Sequence, residues 1–158
     1  MRHLLFVLVM TLFVGMAGEA SPGDVAVIVN KENVLSEVSF RELVKIFRQE
    51  KQYWEGGKKI YLTLLESGSP EKAIVLKKIY RMDEEELKKF WLGKLYTQEV
   101  ASFPKTLGSG EAVKRFVGQV PNALGVIDAS SADDRVKVLR IDGKLPGEGG
   151  YALGESSL

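Results

Sequence analysis

Residues 25–30, VAVIVN, form an unbroken and largely β-branched apolar run of five closed by an Asn. Such a run is too short for a helix and lacks polar alternation, so it describes a strand covered on both faces. A strand of that kind needs helices on either side of its sheet, which restricts the chain to an α/β layer architecture. Amphipathic helices follow where this architecture needs them. In SFRELVKIF, Ser39 stands as N-cap with Glu42 three residues on, a capping box, and Phe40, Leu43, Val44 and Phe47 share one face. IYLTLL, residues 60–65, predicts a second strand, and residues 70–80 a helix behind the cluster Ser67, Gly68, Ser69. Asp83 and Glu86 open a further helix that aligns Leu87, Phe90, Trp91 and Leu95. Ser109 starts another, ending near Pro121, after which ALGVIDAS and VKVLRIDG predict two more strands. The order βαβααα then ββ is that of one α/β domain, with a Gly- and Pro-rich tail from Gly143 expected as a surface extension or a disordered end.

Ahead of this domain, Arg2 and His3 precede an apolar run over residues 4–14 and small residues follow. That is the layout of a secretory signal peptide over residues 1–20, and the run is too short to span a bilayer. The expected product, residues 21–158, is periplasmic or secreted, with no stable membrane insertion after cleavage.

The chain has no Cys, and its one His is His3. The expected mature protein therefore has no Cys or His nucleophile, no Ser-His-Asp triad and no conventional zinc site, and neither metal nor cofactor is expected. Basic and acidic residues are interleaved, as in RMDEEELKKF, and the net charge is +1, which gives no sign of a nucleic-acid partner. Glu84, Glu85 and Glu86 fall in a first helical turn, where the helix dipole accounts for them without catalysis. The sequence supports no enzyme.

The stretch LLESGSPEKA, residues 64–73, carries the candidate site. Ser69 as N-cap with Pro70 at the first helical position makes a good helix start, and the backbone N–H groups that need capping there can also hold an anion. Ser67, Gly68 and Ser69 are the candidate ligand-binding residues, with Lys72 as the nearest basic side chain. A capped helix without a ligand explains the same residues, and both readings stay open at this level.

The motif series resembles the phosphate-binding periplasmic proteins of ABC transporters. It consists of Val29 and Asn30 at a strand end; Leu35 and Ser36; Glu42 and Leu43; Ile46 and Phe47; and Trp54 seven residues after the Phe. Near the end, residues 121–126, PNALGV, are similar to the family's Pro-Gly-Ala-Ile-Gly-Tyr. The resemblance runs over residues 25–153 and implies one lobe of a type II periplasmic-binding-protein fold, a central mixed sheet flanked by helices. It also implies that Ser67, Gly68 and Ser69 match the core of the second-lobe phosphate motif. The Arg that precedes this motif in the family has no counterpart: residues 60–71 contain only acidic and neutral side chains beyond Ile60, and Thr63 and Leu64 occupy its approximate place. Gln49 replaces the family's usual Gly after Ile-Phe.

A helix N-terminus favours an anion by about 0.3–2 kcal/mol, whereas even millimolar affinity needs about 4 kcal/mol, and Glu66 and Glu71 flank the turn with the wrong charge. The resemblance thus implies an exported domain with weak or partner-dependent recognition of phosphate or a similar oxyanion, tied to phosphate transport or sensing, with a second lobe or an envelope protein as partner. The alternative is an envelope interaction module that has lost the ligand, with Tyr53 and Trp54 in a polar loop as contact residues.

Overall fold

The computed structural model describes residues 23–155, so the leader expected over residues 1–20 lies outside the described residues. Strand β1 (Val25–Val29) is buried along its whole length, as its composition requires. Val25, Val27 and Val29 enter one apolar cluster and Ala26 and Ile28 the other, so the strand separates two helical layers. Full burial of one such side chain stabilises the fold by about 1.5–3 kcal/mol.

The main sheet also contains β3 (Tyr61–Leu65), β4 (Lys105–Leu107), β5 (Ala123–Asp128) and β6 (Lys137–Val138), in the order β4-β3-β5-β1-β6. Strand β3 runs parallel to both β4 and β5, and β1 is antiparallel to both β5 and β6. The sheet is mixed and carries helices on both faces. A small parallel ribbon joins β2 (Glu37–Val38) to β7 (Arg140–Ile141).

Helix α1 (Phe40–Phe47) begins at Ser39, whose Oγ accepts the Glu42 N–H at 3.1 Å. The expected capping box is only half made, because the Glu42 carboxylate pairs with Lys51, while the Phe40 N–H donates to Asp142 Oδ1 at the end of β7. By contrast, the box at α3 (Glu84–Tyr96) is complete: Asp83 and Glu86 exchange both hydrogen bonds, at 2.8 and 2.9 Å. Helix α2 (Pro70–Ile74) passes into a π-helical turn, Val75–Tyr80, that ends at Arg81 with φ +55°. The combined extent matches the expected residues 70–80, but the wide turn does not follow from periodicity. It brings Tyr80 inward, where its hydroxyl donates to the Phe47 carbonyl at 2.8 Å and its ring meets Phe47, Phe90 and Trp91 edge-on. Helix α4 (Gly110–Gln119) covers the opposite face, and Asn30 Nδ2 binds the carbonyls of Val117 and Gly118 at its end.

Three expectations are corrected. VKVLRIDG is two strands rather than one, because Leu139 turns into the core between β6 and β7, fully buried, with its N–H on Val27. The tail from Gly143 is no surface extension: Tyr151 and Leu153 are buried in the main core, and the Tyr151 hydroxyl donates to the Val25 carbonyl at 2.8 Å. Trp54 is as buried as Trp91, 7% against 5% exposed, since the loop folds back through a Tyr53–Lys59 bridge and the indole N–H donates to the Asn122 carbonyl at 3.2 Å. Tyr53 alone of that pair remains exposed. Among the described residues no helix is long and apolar enough to cross a membrane.

Candidate anion site at the ends of the parallel strands

Strand β3 leaves the sheet at Leu65, and the Glu66 N–H still reaches the Leu107 carbonyl of β4 at 3.0 Å. The chain then turns through Ser67 and Gly68, the latter at φ +92°, a conformation that favours Gly. Ser69 is extended, accepts the Lys72 N–H on its Oγ at 3.1 Å, and is followed by Pro70 at the first helical turn. The cap expected from the sequence therefore forms. Ser67 and Gly68 are exposed and Ser69 half-buried, which leaves the N–H groups of Gly68, Ser69 and Glu71 at a solvent-facing helix start.

Because β3, β4 and β5 are mutually parallel, their carboxyl ends fall on one edge of the sheet. Each ends in a serine-bearing start of helix. After β3 comes Ser69; after β4 comes Ser109, whose Oγ accepts the Ala112 N–H at 3.1 Å. After β5 a short 3-10 turn, Ala129–Ser131, follows, with Asp128 Oδ1 taking the Ser130 N–H at 2.8 Å. The crevice outside the carboxyl ends of parallel strands is where open α/β sheets bind ligands. Ser109 is visible in the sequence as a cap. Its position beside Ser69 comes from the register Leu65↔Leu107, which local pattern does not report.

The charges on this edge are arranged less favourably for an anion. Glu66 is exposed, with its carboxylate over Gly108 between the two turns. Lys72 is nine-tenths buried, and its ammonium donates to the Leu65 carbonyl at 3.2 Å. Desolvation lowers its pKa from the ordinary lysine value and Glu84 partly opposes that. Lys72 thus ties α2 to the end of β3 and is not an exposed counter-charge. Lys114, also buried, bridges Glu111 and Asp133 at 3.1 and 2.9 Å and donates to the Ser131 carbonyl. Arg135 binds the same two carboxylates. Arg135 first and then Lys114 hold the Asp133 carboxyl far below the usual carboxylate range. Thr63 and Leu64 are buried in β3, Thr63 with its hydroxyl on the Leu124 carbonyl and Leu64 in a small cavity beside Lys72, Glu84 and Trp91.

No protein-family model matches the sequence, and no curated protein matches it. Solved structures do. A Clostridium perfringens protein assigned as a phosphate ABC transporter substrate-binding protein, solved with bound phosphate, is similar with a TM-score of 0.64 at 19% identity, over 78% of this chain and 46% of its own. An ABC-type phosphate transport receptor from Vibrio cholerae gives 0.64 at 19%, over 78% and 48%. PstS from Borrelia burgdorferi gives 0.64 at 17%, over 82% and 53%.

This is the fold of about half of a phosphate ABC transporter binding protein. The chain spans about half the length of these solved structures, and the single-lobe fold accounts for the mixed sheet and for the parallel strand ends that carry the serine turns.

Proposed function

We propose that the chain is an exported, non-enzymatic, single-lobe relative of phosphate-binding proteins that takes phosphate or a similar oxyanion at Ser67, Gly68 and Ser69, weakly or together with a second lobe. The observation that carries this reading is the convergence of three parallel strand ends in side-chain-capped turns, two capped by Ser69 and Ser109 and the third by Asp128, on a fold shared with a protein solved with bound phosphate. Gly68, Ser69 and Glu71 offer backbone donors, Ser67 a hydroxyl, and Lys72 positions the turn from below through Leu65. The affinity is expected to be millimolar or weaker, because the helix start supplies at most about 2 kcal/mol of the roughly 4 needed. Glu66 and Glu71 oppose the anion, and the cations Lys72, Lys114 and Arg135 are already engaged.

That shortage of an open cation also favours the second reading, an envelope interaction module that keeps the fold without the ligand. Titration of the labelled protein with inorganic phosphate, followed through backbone amide resonances, separates them. Selective, saturating shifts at Gly68, Ser69 and Glu71 that Ser69→Ala weakens support the oxyanion site. Silence at those amides up to high phosphate leaves the interaction module.

A further inference from the structure

Helix α1 and the π-helical turn flank an open groove of about 520 Å³, and its charged lining is strongly one-sided: Arg41, Lys45, Arg48, Lys78 and Arg81 against the single carboxylate Glu50. The chain as a whole is nearly balanced, 22 basic residues to 21 acidic, so this five-to-one ratio is a local concentration. Glu50 is already paired with Arg48 at 3.1 Å. The side chains of Arg41, Lys45 and Arg81 make no ion pair or hydrogen bond among the described residues.

The groove is also preorganised. Arg48 is held by Glu50 and by the Phe90 ring, 4.9 Å from its guanidinium carbon. Lys78 is anchored by its ammonium to the Gly154 carbonyl, outside the groove lining, so the unengaged cations are Arg41, Lys45 and Arg81. The Arg81 N–H binds the Leu76 carbonyl, which holds this residue in a left-handed conformation uncommon outside Gly, at the end of a π-helical turn of the kind found at functional sites. Tyr80 and Ile79 form a rigid buried floor.

From these observations we propose that the groove binds a compact polyanion, a small molecule carrying two or more phosphate or carboxylate groups. Its volume is that of a small-ligand site, open to solvent along one side. Arg41, Lys45 and Arg48 lie at i, i+4 and i+7, a row about 10 Å long at 1.5 Å per residue, with Lys78 and Arg81 on the facing wall. One phosphate group would leave part of that row unneutralised, whereas linked anionic groups would engage it along its length. The arginines supply planar forks suited to phosphate or carboxylate oxygens. None of Ser67, Gly68 and Ser69 lines this groove, so the site stands independently of the proposed oxyanion turn.

Calorimetric titration with sodium tripolyphosphate and with benzene-1,3,5-tricarboxylate tests it, orthophosphate serving as the single-group comparator. At least one of the two polyanions should bind saturably and at least about tenfold more tightly than orthophosphate, and Arg41→Gln and Arg81→Asn should each weaken it about tenfold, the loss of one charge-assisted contact. Asn tolerates the left-handed backbone at position 81, and circular dichroism verifies that both variants are folded. Lys89→Gln, at an exposed cation paired only with Glu85, should leave the affinity unchanged. The proposal is overturned if neither polyanion saturates, if orthophosphate binds as tightly, or if the arginine variants bind normally. Tighter binding of a hexaglutamate peptide, or binding only to phosphatidylglycerol vesicles, overturns it in favour of a protein or membrane partner.

Discussion

Gly125 and Thr63 face each other across the pairing of β5 with β3 so closely that a Cβ on Gly125 would stand 2.4 Å from the Thr63 hydroxyl and 2.6 Å from a Val113 methyl. Helix α4 can rest on the sheet here only because position 125 has no side chain. Gly125→Ala should therefore destabilise the fold by about 1–3 kcal/mol through overpacking, read as a lower denaturant midpoint at unchanged slope. A loss under a few tenths of a kcal/mol would mean that α4 sits farther from the sheet.

The two tryptophans should be equally protected from a soluble quencher such as acrylamide, since both are buried. Their substitutions should differ. Trp54→Phe removes the hydrogen bond to Asn122 and should cost about 1 kcal/mol beyond the change in packing. The Trp91 Nε1 is buried without a hydrogen-bond partner among the described residues, so Trp91→Phe removes an unsatisfied donor and should cost less.

The tail should be indispensable. Asp24 accepts the N–H groups of Gly147 at 2.7 Å and Glu155 at 3.2 Å, which closes residues 147–155 against the start of β1. Leu153→Ala should cost about 2–5 kcal/mol, as for other fully buried leucines, and removal of residues 144–158 should abolish cooperative unfolding. A truncated protein with an unchanged melting transition would contradict the packing of Tyr151 and Leu153.

Acid should weaken the fold through Glu111 and Asp133. Arg135 and then Lys114 lower both carboxyl pKa values in the folded state. Their contribution is therefore fully present above the unfolded values of about 3.9 for Asp and 4.3 for Glu, and is lost as pH falls through and below that range. Asp133→Asn should flatten the fall in melting temperature between about pH 4 and pH 2, and have little effect on the slope near neutrality. Because the carboxylates are largely exposed, the effect should be modest and reduced by salt.

What the sequence determined by itself was local. A five-residue apolar run requires a doubly covered strand, and Ser39, Ser69, Asp83 and Ser109 each cap a helix because a short polar side chain needs only the N–H three residues ahead. The α/β class and the helix start at the candidate site were legible for that reason. Tertiary structure decided what depends on partners distant in the chain. Trp54 lies in a polar stretch and Lys72 is a lysine, yet both are buried, one by a carbonyl 68 residues away and the other by the end of β3. The short strands β2 and β4 exist only through pairing, and Leu139, Tyr151 and Leu153 reach the core only because β1 offers a face and free carbonyls. The same separation hides the charges. Along the chain the basic residues alternate with acidic ones, but the fold sets Arg41, Lys45 and Arg48 against Lys78 and Arg81 and brings only one carboxylate, Glu50, into the groove with them. Propensity and capping act over a few residues, whereas strand order, burial and electrostatic field are sums over groups that only the folded chain brings together.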